Sequence, residues 1–324
     1  MIVLDGINKS FKVYKRQSGL RRAVKALVSR EHETIQALKD VSFSIGEGEM
    51  VGYIGPNGAG KSTTIKIMCG VLTPDSGMCE IDGRVPWKER VAHVKHIGVV
   101  FGQRSQLWWD VPVCDSFELI RDIYKVNQAE YQRALDELTV LLGLSELLKT
   151  PARSLSLGQR MRCELAASLL HSPKILFLDE PTIGLDAVSK LAVRQFIQKL
   201  NREKGTTVIL TTHDMQDIEA LTKRILLIGK GRILLDGGLE EIKKRFSDEK
   251  TLVVEYTGSL GEPLVGMRYE KSEQGRLIAV ITSGILDVPT AIAHLAKSVE
   301  ITDISVSGIS SEEMVARLYE EYRI

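Results

Sequence analysis

Gly55-Pro56-Asn57-Gly58-Ala59-Gly60-Lys61-Ser62-Thr63 decides how the rest of this chain is read. The stretch fits the pattern G-x-x-x-x-G-K-[ST], in which a glycine-rich loop wraps backbone N–H groups around a polyphosphate. Its flanks agree. Met50-Val51-Gly52-Tyr53-Ile54 predicts a short buried strand, and Thr64 to Val71 predicts a helix with Ile65 and Ile67 or Met68 facing a core. A helix starting directly after the loop adds a partial positive charge where phosphates would sit. Gly55, Gly58 and Gly60 allow positive φ and close backbone approach. In such a loop Lys61 reaches the β- and γ-phosphates, and the Ser62 hydroxyl ligates Mg²⁺.

Length and charge bound the rest. At 324 residues and 44% hydrophobic content the chain can build two domains, each with its own core. The formal net charge is +1, but it is unevenly spread. Residues 9–30 hold eight Lys or Arg and no acid, whereas residues 250–324 hold seven bases and eleven acids. The four cysteines, Cys69, Cys79, Cys114 and Cys163, lie far apart without metal-ligand spacing. They predict ordinary thiols of a reducing compartment. No apolar run approaches the length of a membrane span, and the N-terminus lacks a signal peptide's apolar stretch. The expectation is a cytosolic protein for which another chain supplies any membrane span.

From the loop outward, strand and helix signals alternate. Ile2-Val3-Leu4 and Val41 to Ile45 predict strands on the N-terminal side. Between them, Leu20, Val24, Leu27 and Val28 recur at helical spacing, with Arg21, Arg22, Lys25 and Arg30 on other faces. Two readings stay open for that basic helix: a solvated helix packed on its own domain, which basic faces favour, or one lying on anionic headgroups. Beyond the loop, Met78 to Ile81 and Ile97 to Phe101 predict strands, and Ser116 to Leu170 reads as helical. Ile175-Leu176-Phe177-Leu178 and Thr207 to Thr211 predict buried parallel strands, separated by a helix carrying Val193, Phe196, Ile197 and Leu200. Ile225–Ile228 and Ile233–Leu235 predict a closing hairpin. The pattern implies an α/β fold, a parallel sheet covered by helices. Phosphate ligands then sit beyond the C-terminal ends of the strands, where Gly55, Asp179, Glu180 and His213 all fall. After about Phe246 short strands and helices follow with no catalytic motif, predicting domains at 1–246 and 247–324, the second a small α+β appendage that packs or dimerises, with regulation as the weaker alternative.

Two further stretches carry chemistry. Asp179 and Glu180 leave the end of an apolar strand side by side. One carboxylate there can hold Mg²⁺, and its neighbour can orient or deprotonate an attacking water. Leu155-Ser156-Leu157-Gly158-Gln159 precedes a helix at Arg160–Leu170, and reads as a second anion-binding helix start or as a plain N-cap.

With those residues in place, Gly55–Thr63, Gln103, Leu155–Gln159, Ile175–Pro181, Gly184-Leu185-Asp186 and His213 resemble the ordered motif set of the ATP-binding cassette (ABC) family. The resemblance covers about residues 1–240. It implies a P-loop NTPase core with an antiparallel N-terminal β subdomain and an inserted helical subdomain at about 104–172. It also implies two cassettes docked head to tail, as an ATP-dependent homodimer or a pair with a related cassette. Each ATP is then held between one Walker A loop and the opposite signature loop. By that likeness Gly55, Pro56, Asn57, Gly58, Ala59, Gly60, Lys61, Ser62 and Thr63 cradle ATP. Ser62, Gln103 and Asp179 attend Mg²⁺, Gln103 senses the lytic water, Glu180 is the general base, and His213 contacts the γ-phosphate. Ser156, Gly158 and Gln159 touch ATP across the dimer, and Asp186 belongs to the loop linking the two sites. Phe11 matches the adenine-stacking aromatic, with Tyr14 as runner-up.

One departure stands out: Leu157 occupies a position that is usually Gly in the family, and a bulky residue cannot adopt positive φ cheaply. The expectation is that Gly158 alone supplies that freedom. The single cassette, the run Pro181 to Asp186 and the C-terminal appendage are similar to the cytosolic subunits of drug-exporter-type (ABC-2) transporters. That likeness implies a separate integral-membrane permease. Trp108 and Trp109 fall where family members receive the permease, either as an interface anchor or as a cap on the helical subdomain. The competing function classes are weaker. A non-transport ABC ATPase acting on DNA or ribosomes would carry coiled coils, zinc modules or a second cassette, and no nucleic-acid partner is expected. A GTPase or kinase would leave Leu155–Gln159 without a role.

Overall fold

The structure, a computed structural model, describes residues 1–14, 32–102, 104–245, 249–273, 275–308 and 310–324. It divides into two compact units, Met1–Asp236 and Gly237–Ile324.

The first unit is built on a six-stranded sheet. Its strands are β3 (Met50–Ile54), β5 (Ile97–Phe101), β6 (Ile175–Asp179), β7 (Thr207–Thr211), β8 (Arg224–Gly229) and β9 (Arg232–Gly238), in the order β5-β6-β7-β3-β8-β9. The pairs β5–β6, β6–β7, β7–β3 and β3–β8 are parallel, with Phe101, Asp179 and Thr211 level with one another. Val51 to Ile54, Ile175 to Leu178 and Thr207 to Thr211 are buried, because helices cover both faces of a parallel sheet. The loops leaving β3, β6 and β7 therefore emerge together at one edge. β8 and β9 are joined by Lys230-Gly231, both at positive φ (47° and 79°), the geometry of the tightest hairpin turns.

A second sheet, antiparallel and of order β2-β1-β4, joins β1 (Ile2–Tyr14), β2 (His32–Ile45) and β4 (Ser76–Ile81). The β1–β2 ribbon is far longer than the expected Ile2–Leu4 and Val41–Ile45. Pairing with β4 stops at Asn8↔Ser76, while β1 and β2 continue to Tyr14↔His32. Past Asn8 the ribbon's apolar residues Phe11, Val13 and Ile35 are exposed rather than packed in a core, so the hydrophobic signal there is short and weak. The expected basic helix over Leu20–Arg30 lies outside the described residues.

Helix α1 (Lys61–Met68) follows the glycine loop, and α2 (Arg90–Val94) precedes β5. Between β5 and β6 come α3 (Val113–Tyr124), α4 (Gln128–Leu142) and α5 (Leu157–Leu169). Helix α6 (Ala187–Lys204) starts on the Asp186 cap and ends at Gly205, φ 64°. It buries Val193, Phe196, Ile197 and Leu200, the stripe its spacing predicts, each contributing about 1.5–3 kcal/mol. Helix α7 (Met215–Leu221) leads into β8. Fully buried Tyr53 donates its hydroxyl to Thr64 at 3.0 Å, which satisfies the one polar atom that side chain brings into the core.

The second unit contains α8 (Leu239–Arg245), β10 (Glu249–Gly258), β11 (Met267–Glu273), β12 (Arg276–Thr282), α9 (Val288–Leu295), β13 (Val299–Gly308) and α10 (Ser311–Glu321). Its sheet, β11-β12-β10-β13, is antiparallel throughout. Leu252, Val254 and Tyr256 meet Leu277, Ala279, Ile281, Ala291 and Leu295 in a core of their own. The division at Asp236 falls ten residues before the expected 246. Leu239 and Ile242 on α8 are buried, and the Leu-Glu-Glu-Ile segment they anchor opens the second unit rather than closing the first.

Candidate functional site

The glycine loop runs from the end of β3 into α1. Gly58 (φ 79°) and Gly60 (φ 116°) take backbone conformations that L side chains resist. Gly55 is needed for a different reason: a Cβ there would meet the Ile228 carbonyl oxygen at 2.2 Å. Gly60 is the N-cap of α1 and supplies no side-chain acceptor, so no side chain caps the first N–H groups of that helix. Lys61 is buried and donates its Nζ to the carbonyls of Gly55 (2.5 Å) and Pro56 (3.1 Å). Burial pushes the Lys61 ammonium down from its ordinary pKa, against the opposing pull of Glu180 and Asp179. The Ser62 hydroxyl donates to Asp179 Oδ2 at 3.2 Å, which brings the loop onto the end of β6.

Asp179 and Glu180 are held by a residue that sequence reading passes over. Thr211, level with Asp179 on β7, donates its hydroxyl to Asp179 Oδ1 at 2.5 Å. The Glu180 N–H donates to the Thr211 carbonyl at 2.9 Å, with Thr211 Oγ1 at 3.2 Å. Glu180 has φ 56°, a left-handed conformation that costs a non-glycine residue of order 1–3 kcal/mol unless its surroundings enforce it. Gly102 leaves room for this turn, since a Cβ there would stand 2.3 Å from the Glu180 carbonyl oxygen. The Glu180 side chain then meets His213, Nε2 to Oε1 at 2.8 Å. The signal for Thr211 and Gly102 is the sheet register, which no local pattern carries.

The Leu155–Gln159 segment is ordered but stands apart from that cluster. Ser156 caps α5: its hydroxyl accepts from the Gln159 N–H at 3.2 Å, and Gln159 Oε1 accepts from the Ser156 N–H at 2.8 Å. This is a closed capping box. The expectation about φ is corrected here. Leu157 and Gly158 both lie within α5 and neither has positive φ, so Leu157 carries no left-handed strain. Gly158 matters through its missing side chain: a Cβ would lie 2.3 Å from Ser189 Oγ and 2.9 Å from Ser189 Cβ. Asp186 caps α6 through the Ser189 N–H (2.9 Å) and hydroxyl (2.8 Å), so the α5 start packs against the α6 start. Leu157 in turn covers Gly184, where a Cβ would stand 2.9 Å from its Cδ2.

Phe11 is on the ribbon, opposite Ile35, with Lys9 Nζ 5.7 Å from its ring centroid. The same ribbon carries Ala37 and Leu38, which crowd Gly60. The Tyr14 side chain and all of Gln103 lie outside the described residues. Buried Glu164 accepts from the Ser105 hydroxyl and, at 3.0 Å, from the Gln106 N–H. Burial raises the Glu164 carboxyl above its ordinary pKa even with these donors. Trp108 and Trp109 are 60% and 51% exposed, so neither is buried in the core of the helical part. Arg160 stands 5.6 Å from the Trp109 ring. A cavity of about 350 Å³ lies at the other edge of the main sheet, where β6 and β7 begin, lined by residues such as Lys174, Ile175 and Thr207. No described helix is long and apolar enough to cross a membrane.

The chain can be compared with known proteins on this geometry. A family model described as "ABC transporter" matches residues 38–183. The ABC transporter ATP-binding protein NatA of Bacillus subtilis is 31% identical over 65% of this chain and 85% of NatA. The linearmycin resistance ATP-binding protein LnrL of the same species is 32% identical over 71% of this chain and 74% of LnrL. The daunorubicin resistance ATP-binding protein DrrA3 of Streptomyces coeruleorubidus is 29% identical over 87% of each chain. Among solved structures, a post-hydrolysis dimer of the ATP-binding cassette MJ0796 with ADP and Pi is 27% identical with a TM-score of 0.62. It covers 74% of this chain and 99% of that one.

Proposed function

This chain belongs to the ABC transporter family and is an ATP-binding, ATP-hydrolysing subunit of that kind; from that premise we propose that it drives export through a separate integral-membrane permease. Two cassettes act together, each completing the other's ATP site. The observation that carries the reading is the convergence of Lys61, Ser62, Asp179, Glu180 and His213 at one sheet edge. The first N–H groups of α1 lack a side-chain cap and are aimed where phosphates cap them. Ser62 Oγ and Asp179 Oδ2, 3.2 Å apart, are hard oxygen donors of the kind Mg²⁺ selects. Bound there, Mg²⁺ neutralises phosphate charge.

Lys61 steers and holds the terminal phosphates. Thr211 aims the Asp179 carboxylate and fixes the Glu180 backbone, which sets the Glu180 side chain beside His213. Glu180 takes the proton of the attacking water, and His213 holds the γ-phosphate in line. Ser156, Gly158 and Gln159 are offered to the partner cassette's nucleotide, with Asp186 linking the two sites. Phe11 stacks on adenine, and Gln103 attends the metal and water. Exposed Trp108 and Trp109 support a permease anchor. Export, rather than import, rests on the likeness to relatives named for drug resistance. The second unit serves packing or dimerisation, and the chain sits on the inner face of the membrane only through its permease.

Lys61→Ala tests the reading. It removes the cation facing the terminal phosphates, worth about 1.5–3 kcal/mol for a charged hydrogen bond, and should weaken ATP binding by about ten- to a hundred-fold. Titration with a fluorescent ATP analogue measures it; unchanged affinity in a folded variant removes the loop from its role.

A further inference from the structure

Thr211 and Thr212 end β7 and its exit, and successive residues of an extended chain face opposite ways. The Thr211 hydroxyl goes forward to Asp179, whereas the Thr212 hydroxyl goes back and donates to Asp217 Oδ2 at 3.1 Å. Asp217 lies in the first turn of α7 and is 0% exposed. The same Oδ2 accepts from the Thr182 hydroxyl, and Oδ1 accepts from Arg194 Nε at 2.5 Å. Asp214, the cap of α7, adds to the cluster: its N–H donates to Thr212 Oγ1 at 3.0 Å, and its carboxylate takes Lys190 Nζ at 2.5 Å. Lys190 and Arg194 stand on α6, the helix that starts on Asp186.

The cluster has no place in phosphate binding, and stability does not explain it well. A buried ion pair is often no better for stability than well-packed apolar residues of the same size. What it does supply is direction. One carboxylate receives hydrogen bonds from the residue two places after Glu180 and from the residue just before His213. We infer that Asp217 is a positioning residue. Through Thr182 and Thr212 it sets the two loops against each other, so that Glu180 Oε1 and His213 Nε2 meet at 2.8 Å. Arg194 fixes the carboxylate and extends the same frame to α6 and the Asp186 turn. This inference rests on the proposed roles of Glu180 and His213 in ATP hydrolysis.

Paired substitutions in the full-length chain test it. Thr212→Val deletes the hydroxyl and keeps the branched shape, whereas Thr212→Ser keeps the hydroxyl and loses the methyl. The Val variant should lose about ten-fold or more in kcat with KM for ATP within about two-fold, the mark of an interaction used after binding. The Ser variant should stay within about three-fold of the parent in kcat, by the same reasoning. Crystal structures of both variants give a readout independent of turnover. The Glu180–His213 contact should persist with Ser and open beyond hydrogen-bond reach with Val. Thr182→Val and Thr182→Ser repeat the comparison from the other loop if either Thr212 variant fails to fold. A Val variant that keeps both the contact and kcat overturns the inference, as does a Ser variant that loses as much as Val. A parent chain without ATPase activity would instead refute the proposed function, and the crystallographic contact would still decide whether Thr212 positions His213.

Discussion

Two helix starts in the first unit, α1 behind the glycine loop and α5 behind Ser156, are finished in opposite ways. α1 begins at Gly60, which has no side chain to offer, so its first turn lacks a side-chain cap. α5 begins at Ser156, whose hydroxyl and N–H are both engaged with Gln159 in a capping box. In the proposed function the first helix is completed by a phosphate, and its neighbours Ser62 and Asp179 converge. The second is complete as it stands. Its hydrogen bonds at Ser156 and Gln159 are to each other, and its packing is to Ser189 and Asp186, not to Lys61, Asp179 or Glu180. On the proposed function, one half-site receives a ligand in this chain and the other is a finished surface offered to a ligand held by a partner.

Breaking the first half at its chemistry gives the largest effect. Glu180→Gln keeps size and removes the base, so hydrolysis should slow by roughly 10²–10⁴-fold while ATP binding survives. Phosphate release under saturating ATP measures it, and a wild-type rate would remove Glu180 from its role. Breaking the second half should leave binding to the single chain intact and cost less. Gly158→Ala forces a methyl onto Ser189, an overpacking cost of about 1–3 kcal/mol. If the α5 start must meet a partner's nucleotide, hydrolysis should fall about ten- to a hundred-fold at unchanged ATP affinity of the monomer. An unchanged rate would separate Gly158 from the reaction. The smallest effect sharpens the contrast. Leu157→Gly weakens a helical first turn by about 1 kcal/mol, and a melting curve should shift down by about 2–4 °C. A rise in Tm would mean that Leu157 is strained after all.

Much of this arrangement is readable from the residues. Runs such as Ile175–Leu178 and Val208–Leu210 are apolar on both faces because their sheet is covered on both, so strands and their exits stand out. The glycine loop, the carboxylate pair and His213 then fall at one edge by topology. What does not read from sequence depends on register or on space. Thr211 orients Asp179 because two strands are level. Gly102 permits the left-handed turn at Glu180 because a Cβ has no room. Gly158 invites a conformational explanation, yet its backbone is ordinary helix, and only the packing against Ser189 reveals its purpose. The ribbon beyond Asn8 is hidden for the opposite reason, since Phe11, Val13 and Ile35 form only a short alternation on an exposed face, too little to announce a strand. The start of the second unit is equally hidden, because α8 follows β9 without a break in composition.

The central claim, that the two half-sites of one chain serve two different nucleotides, is tested most directly by the mass of Glu180→Gln in solution. With the base gone and both half-sites intact, ATP and Mg²⁺ should hold two chains together, and size-exclusion chromatography with light scattering should read twice the 36.0 kDa of one chain. ADP, without the γ-phosphate that Ser156 has to reach, should leave the chain at its monomer mass. A variant that binds ATP and stays monomeric would contradict the shared site.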